Sequence, residues 1–150
     1  MYLNQILKRK GFVKIKLKRI ETNHFVLGAI INGVKGRFIV DTGASNSCLD
    51  TQKSKKFKLE VKDSETKAAG AGAIGMETKI ANRNLLEINE WTFNQFSIVL
   101  LDLNHVNAAL IEHSSRTVHG IIGADILEKG EAIIDYKQQC LYLKKLVYKH

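Results

Sequence analysis

The residues best suited to chemistry lie in the string FIVDTGAS, residues 38–45. Asp41 follows an apolar run and precedes Thr42-Gly43. Its carboxylate is therefore expected at the end of a rigid strand, with the glycine letting the chain turn sharply beneath it. An aspartate there is costly unless hydrogen bonds meet its charge, and Thr42, Ser45 and the turn amides are the available donors. A carboxylate held this way is suited to moving protons. The same Asp-Thr-Gly letters also write an Asx turn that merely closes a strand. On this string alone the two readings stay open.

The other reactive side chains form weaker sets. Asp135, in IIDY, lacks a following Thr-Gly and reads as a structural strand-end residue rather than a second catalytic carboxylate. His105, His113 and His119 share a region with Asp102 and Glu112, but no pair has the i, i+4 spacing of a helical zinc site. They are read as surface or structural histidines, and no metal or cofactor is implied. His119, just before GIIG, is the one expected near a cleft. Ser45, Ser47 and Cys48 follow Asp41 closely, yet a serine or cysteine nucleophile needs a histidine base and an oxyanion donor pair that nothing here signals. Cys48 and Cys140 are too few for a disulfide framework and read as reduced thiols.

The elements that must position Asp41 are mostly short strands. Residues 12–20 alternate, with Val13, Ile15 and Leu17 on one face and Lys14, Lys16 and Lys18 on the other, the period of a half-buried strand. HFVLGAII and VKGRFIV flank Asn32-Gly33, a strong hairpin signal because a type I′ turn needs positive φ at both central positions. Residues 50–67 are polar and lysine-rich, which predicts a surface connection or edge element. The run Ala68-Ala69-Gly70-Ala71-Gly72-Ala73-Ile74-Gly75 predicts a mobile loop or hairpin tip. LLEI and FSIVLL flank a turn near Asn89-Glu90, and AIIDY and CLYL flank one at Lys137-Gln138-Gln139. One short helix is expected, from Ala124 or Asp125 to Gly130, with Lys129 near its C-terminal end. Together these predict an all-β protein, a closed and mostly antiparallel barrel with one short C-terminal helix.

A chain of 150 residues, 45% hydrophobic and 25% charged, suits one soluble domain with one core. It has no proline to stiffen a linker. The expected division is a basic N-terminal extension or strand over 1–21, the main domain over 22–143 and a tail over 144–150. No apolar run approaches the roughly 20 residues of a membrane helix, and MYLNQILKRKG lacks a secretory core, so no membrane partner and a cytoplasmic location are expected. The net charge of +8 is concentrated in a stripe from Lys8 to Arg19 without an acid. That stripe is either a solvated strand face or an attractor for an acidic partner.

FIVDTGAS resembles the hydrophobic-hydrophobic-Asp-Thr-Gly-Ala/Ser motif of retropepsin-like aspartic proteases, and VHGIIGADIL, residues 118–127, resembles their second signature. The glycine-rich 68–75 segment stands where that family has its flap. The resemblance spans about residues 22–143 and implies a closed β-barrel. It makes Asp41 the catalytic aspartate and Gly43 the glycine beneath it, and Thr42 the threonine bracing the opposing loop. Ala44 and Ser45 continue the loop, Ala68 to Gly75 cover the substrate, and Ile121, Ile122 and Gly123 pack underneath. It implies a peptide or protein substrate and, because there is one such motif, a homodimer that brings Asp41 beside its own copy. Two departures stand out: Ala124 where retroviral members carry arginine, and Ser45-Asn46-Ser47 where they carry an aspartate. Two rival functions share the sequence. One is a catalytically silent peptide-binding domain of this fold. The other is a basic nucleic-acid-binding β-domain, resting on charge alone, so nucleic acid is not the expected partner.

Overall fold

The computed structural model describes residues 2–68 and 76–147, with side chains described except at 64–68 and 76–78. In chain order the elements are α1 (Leu3–Arg9), β1 (Phe12–Lys16), β2 (Lys18–Arg19), β3 (Phe25–Ile31), β4 (Val34–Val40), β5 (Cys48–Asp50), β6 (Val61–Ala68), β7 (Met76–Ile88), β8 (Trp91–Leu101), α2 (Asn104–Glu112), β9 (Gly120–Ile122), α3 (Ala124–Lys129), β10 (Ile133–Asp135) and β11 (Cys140–Lys144). None of these helices is long and apolar enough to cross a membrane.

Asn32 and Gly33 take φ of 51° and 82°, so β3 turns tightly into β4, as their sequence predicts. From there the sheet runs β4-β9-β5-β8-β7, with β4–β9 and β5–β8 parallel. Strand β7 returns to β3 through Ile30↔Glu87 and Ile31↔Leu86, closing a six-stranded barrel. Closure removes the open edges that a short-stranded sheet would otherwise expose. Strands β2 and β6 extend the sheet beyond the ring.

The barrel interior is filled by large side chains with essentially no exposure, among them Phe38, Leu49, Phe57, Leu86, Trp91, Phe96 and Ile122. Trp91 buries its ring while its Nε1 donates to the Lys144 carbonyl at 2.9 Å, so the one polar atom of the indole is satisfied. Val13 and Ile15 of β1 join this core while Lys14 and Lys16 face solvent, the alternation expected. Strand β1 pairs along its whole length with β11, and β10 takes the other edge of β11, forming a second, three-stranded sheet.

Two helices were not apparent from the sequence. Helix α1 buries only Leu7, against Cys140 and Tyr142, so its amphipathic signal is weak and the cationic stripe obscures it. Helix α2 buries Leu110 and packs with Val106 and the preceding Leu103. That i, i+3, i+7 spacing is diluted by Asn104, His105 and Asn107. Its first turn begins where the Asp102 carboxylate accepts from the Asn104 amide at 2.8 Å. The predicted C-terminal helix is α3, ending at Gly130.

Asn32 also ties three segments together. Its Nδ2 donates to the Phe57 carbonyl and to Asn84 Oδ1, both at 2.9 Å, and its Oδ1 accepts from the Leu85 amide at 3.0 Å. Asn32→Ala removes these bonds, and a longer one from Nδ2 to the Lys58 carbonyl at 3.5 Å, and strains the positive-φ turn. It is expected to cost about 1–3 kcal/mol. A lowered urea midpoint with an unchanged m-value would show it.

Candidate active site

Asp41 is the first residue past β4. Its amide donates to the Ile122 carbonyl at 3.0 Å and its carbonyl accepts from the Ala44 amide at 3.2 Å, closing a tight turn. Its side-chain Oδ1 accepts from the Gly43 amide at 2.9 Å. The carboxylate is half-buried, while Thr42 and Gly43 are exposed and Ala44 is buried. The residue is thus held by backbone hydrogen bonds while it keeps partial access to solvent.

The loop rests on the junction between β9 and α3. The Ala124 amide donates to the Ala44 carbonyl at 2.7 Å. Ser47, fully buried, accepts the Gly123 amide on its Oγ at 2.9 Å. The same hydroxyl donates to Asp125 Oδ1 at 2.7 Å, and the Ser47 amide donates to that oxygen at 2.9 Å. Asp125 sits in the first turn of α3, where its negative charge is favourable. A Cβ on Gly123 would stand 2.6 Å from the Ala44 carbonyl oxygen. Only glycine lets the two segments approach so closely, although its φ of −106° is open to any residue. Ile122 points into the barrel core, and Ile121 lies on the outer face opposite Cys48.

Ser47 and Asp125 escaped the sequence reading as partners. They are 78 residues apart, and each looks unremarkable alone.

The outer face beside the loop is covered. Ile39, Ala44, Cys48 and Ile121 pack against Leu103, Val106 and Leu110, so α2 lies over the flank of the Asp41 loop. Asn107 fastens the helix to the chain entering β9, donating to the Val118 carbonyl at 3.1 Å and accepting its amide at 2.8 Å. Burial in this cluster pushes the Cys48 thiol up to about 12, and the charges of Asp125, Asp41 and Asp50 push the same way against a bond from Ile121. Such a thiol is not a nucleophile at neutral pH. Ser45 is exposed, and Ser47 spends its hydroxyl on Gly123 and Asp125.

The histidines separate. His105 and His113 lie at opposite ends of α2. Nδ1 of His119 accepts from the Arg37 amide at 3.0 Å, four residues before Asp41. Asp135 accepts from the Gln138 amide at 3.0 Å, capping the β10–β11 turn. No cluster of three metal-binding side chains occurs among the described residues. Strands β6 and β7 pair up to Ala68↔Met76. The rest of the expected flap, residues 69–75, lies outside the described residues.

Residues 27–126 match the sequence family described as aspartyl protease. The chain belongs to the aspartyl proteases. Its barrel is of the retropepsin type: it is similar to a retropepsin-like aspartic protease from Rickettsia conorii, at 23% identity and a TM-score of 0.60 over 90% of each chain. It also resembles the retroviral protease-like domain of Ddi1 from Leishmania major, at 18% identity and a TM-score of 0.52 over 81% of this chain and 93% of that one. The sequence matches none of the curated proteins. Both signature strings of this aspartyl protease lie within or next to the matched span, and the bond from the Ala124 amide to the Ala44 carbonyl joins them.

Two outcomes follow for this site. Ser47→Ala leaves the Gly123 amide without its acceptor and is expected to cost about 1–3 kcal/mol, whereas Ser45→Ala, at an exposed position, stays within about 0.5 kcal/mol; thermal unfolding of the two variants checks this. Cys48 and Cys140 are both buried and free. Neither thiol should react with an aromatic disulfide reagent in the native protein within minutes, and both should react after denaturation.

Proposed function

We propose that this aspartyl protease is an endopeptidase working as a homodimer, with Asp41 and its copy as the two carboxylates. The observation that carries the reading is Asp41 itself: its backbone amide is anchored on the Ile122 carbonyl, its carboxylate accepts from the Gly43 amide, and the residue is only half-buried. Hydrolysis without a metal or a covalent intermediate needs one group to take a proton from water and another to protonate the departing amine. Two adjacent carboxylates do both, because like charges so close share a single proton and titrate as a pair. The chain has one Asp-Thr-Gly, so a two-fold axis beside the exposed Thr42-Gly43 supplies the second.

In this mechanism a water between the two Asp41 side chains gives its proton to one carboxylate as it attacks the peptide carbonyl. The protonated carboxyl then donates to the nitrogen as the C–N bond breaks. An extended substrate lies between the subunits, held by main-chain hydrogen bonds and sorted by side-chain pockets. Thr42 braces the opposing loop, and Ala68 to Gly75 close over the cleft and exclude water. Strand β11 has both edges occupied within the chain, so the subunits associate through other surfaces. A cytoplasmic setting suits the two free, buried thiols. The same occupied edges favour a second reading, a monomeric peptide-binding domain without hydrolysis.

Wild type and Asp41→Asn, each shown to be folded and dimeric, are to be compared on a proteome-derived peptide library from about pH 4 to 7.5. New termini made by wild type should fall by about 100-fold or more in the variant. Specific activity should also drop on dilution through the dimer dissociation range. Silence from a folded wild-type dimer would select the peptide-binding reading.

A further inference from the structure

The outer face of β4 divides in two. Ile39 and its cross-strand neighbour Val26 are covered by α2. The next pair along, Arg37 and Gly28, is not: Gly28 is exposed and a Cβ there would meet only the Gly36 carbonyl, at 4.0 Å. This uncovered stretch floors a groove of about 510 Å³, in the size range of ligand sites. Its rim carries Lys16, Lys18, Lys35, Arg37, Arg116 and His119, drawn from β1, β2, β4, the loop after α2 and the approach to β9, with no carboxylate among the lining residues.

No ion pair among the described residues neutralises these cations. The ion pairs among the described residues, Lys144–Glu131 and Lys145–Glu90, lie elsewhere. Arg37 Nε is enclosed and has no hydrogen-bond partner among the described residues. Burial and the neighbouring Arg116 charge both lower its pKa, the mark of a cation lacking a counter-charge. At His119 the Arg37 amide fixes Nδ1 as the acceptor, so the neutral ring carries its hydrogen on Nε2. Lys56 Nζ lies 3.2 Å from that nitrogen, which sets two donors face to face with no acceptor between them. Asp50 is the carboxylate whose field reaches His119, but it is buried and its Oδ1 accepts from the Gln52 amide.

We infer that this groove binds an acidic polypeptide segment, its Asp or Glu carboxylates filling the places opposite Arg37, Arg116 and the His119–Lys56 pair. The cations are spread along a groove rather than gathered on one point, which suits a chain bearing several carboxylates more than a single phosphate. No Phe, Tyr or Trp side chain lines it for bases to stack on, as single-stranded nucleic acid sites use. The sequence stripe supplied only Lys16 and Lys18. The fold joins them to cations up to about a hundred residues away in the chain.

The inference stands apart from the protease reading and is tested in the Asp41→Asn protein, so loss of hydrolysis leaves the test intact. A fluorescein-labelled decaglutamate peptide is titrated into it and followed by anisotropy. Lys18→Gln/Lys35→Gln/Arg116→Gln changes three exposed groove cations, and Lys62→Gln/Lys79→Gln/Lys137→Gln removes the same charge from exposed positions outside the groove. The groove variant should bind at least about tenfold more weakly while the control stays within about twofold of the parent. Equal loss in both variants, or no saturable binding by the parent, would overturn the site. Displacement of the peptide by an equal charge concentration of deca-uridylate or tripolyphosphate more effectively than by unlabelled decaglutamate would overturn the assignment to an acidic polypeptide.

Discussion

A half-buried carboxylate that still meets solvent can be rigid only if the backbone carrying it is held from behind, and that requirement organises this molecule. Asp41 stands at the end of β4 because the amide and carbonyl on either side of its Cα are already engaged, by Ile122 and Ala44. Those bonds have fixed geometry only while β9 lies beside β4, and β9 lies there because the barrel closes. The glycine at 123 lets the β9–α3 junction press against the loop, and Ser47 converts that proximity into hydrogen bonds with Gly123 and Asp125. A polar contact buried this fully is costly to leave half made. Loop and junction therefore hold or fail together.

The polar support differs in kind from a surface ion pair. An arginine–carboxylate brace loses strength with salt, because its charges are at least partly wet. Here the serine hydroxyl is fully buried and one carboxylate oxygen takes both donors. Helix α2 completes the support from the other side, placing Leu103 and Leu110 against Ala44 and Ile39 so that the flank of the loop is dry. Catalytic groups gain from such surroundings because their partners need not reorganise during reaction.

The local part of this arrangement was legible in the sequence. Asn32-Gly33 specified its turn because few residues tolerate two successive positive φ angles, and the alternation of Val13, Ile15 and Leu17 with lysines announced its strand. Asp41-Thr42-Gly43 stood out because strand-end carboxylate and turning glycine are adjacent letters. What stayed hidden depended on distant neighbours. Helix α2 has too few apolar positions to show a face until the cluster it covers is known. Ser47 and Asp125 are ordinary residues until β9 brings them together. Lys16 and Lys18 read as a wet strand face, and only the topology reveals that Arg37, Arg116 and His119 surround the same space.

The small sheet of β1, β11 and β10 has a mechanical consequence. Phe12 lies opposite Lys144, and the Lys145 amide also bonds the Gly11 carbonyl at 2.9 Å, so the chain enters and leaves this ladder at the same end. Tension applied across the two ends would load its hydrogen bonds one after another, as in opening a zipper, rather than all at once in shear. The ladder would part first from Gly11 inward, freeing the side chains of Val13, Ile15, Leu141 and Leu143 from the barrel core. The ring that carries Asp41 would still be closed at that moment, since β3, β4, β9, β5, β8 and β7 take no backbone bonds from β1 or β11 in their pairing.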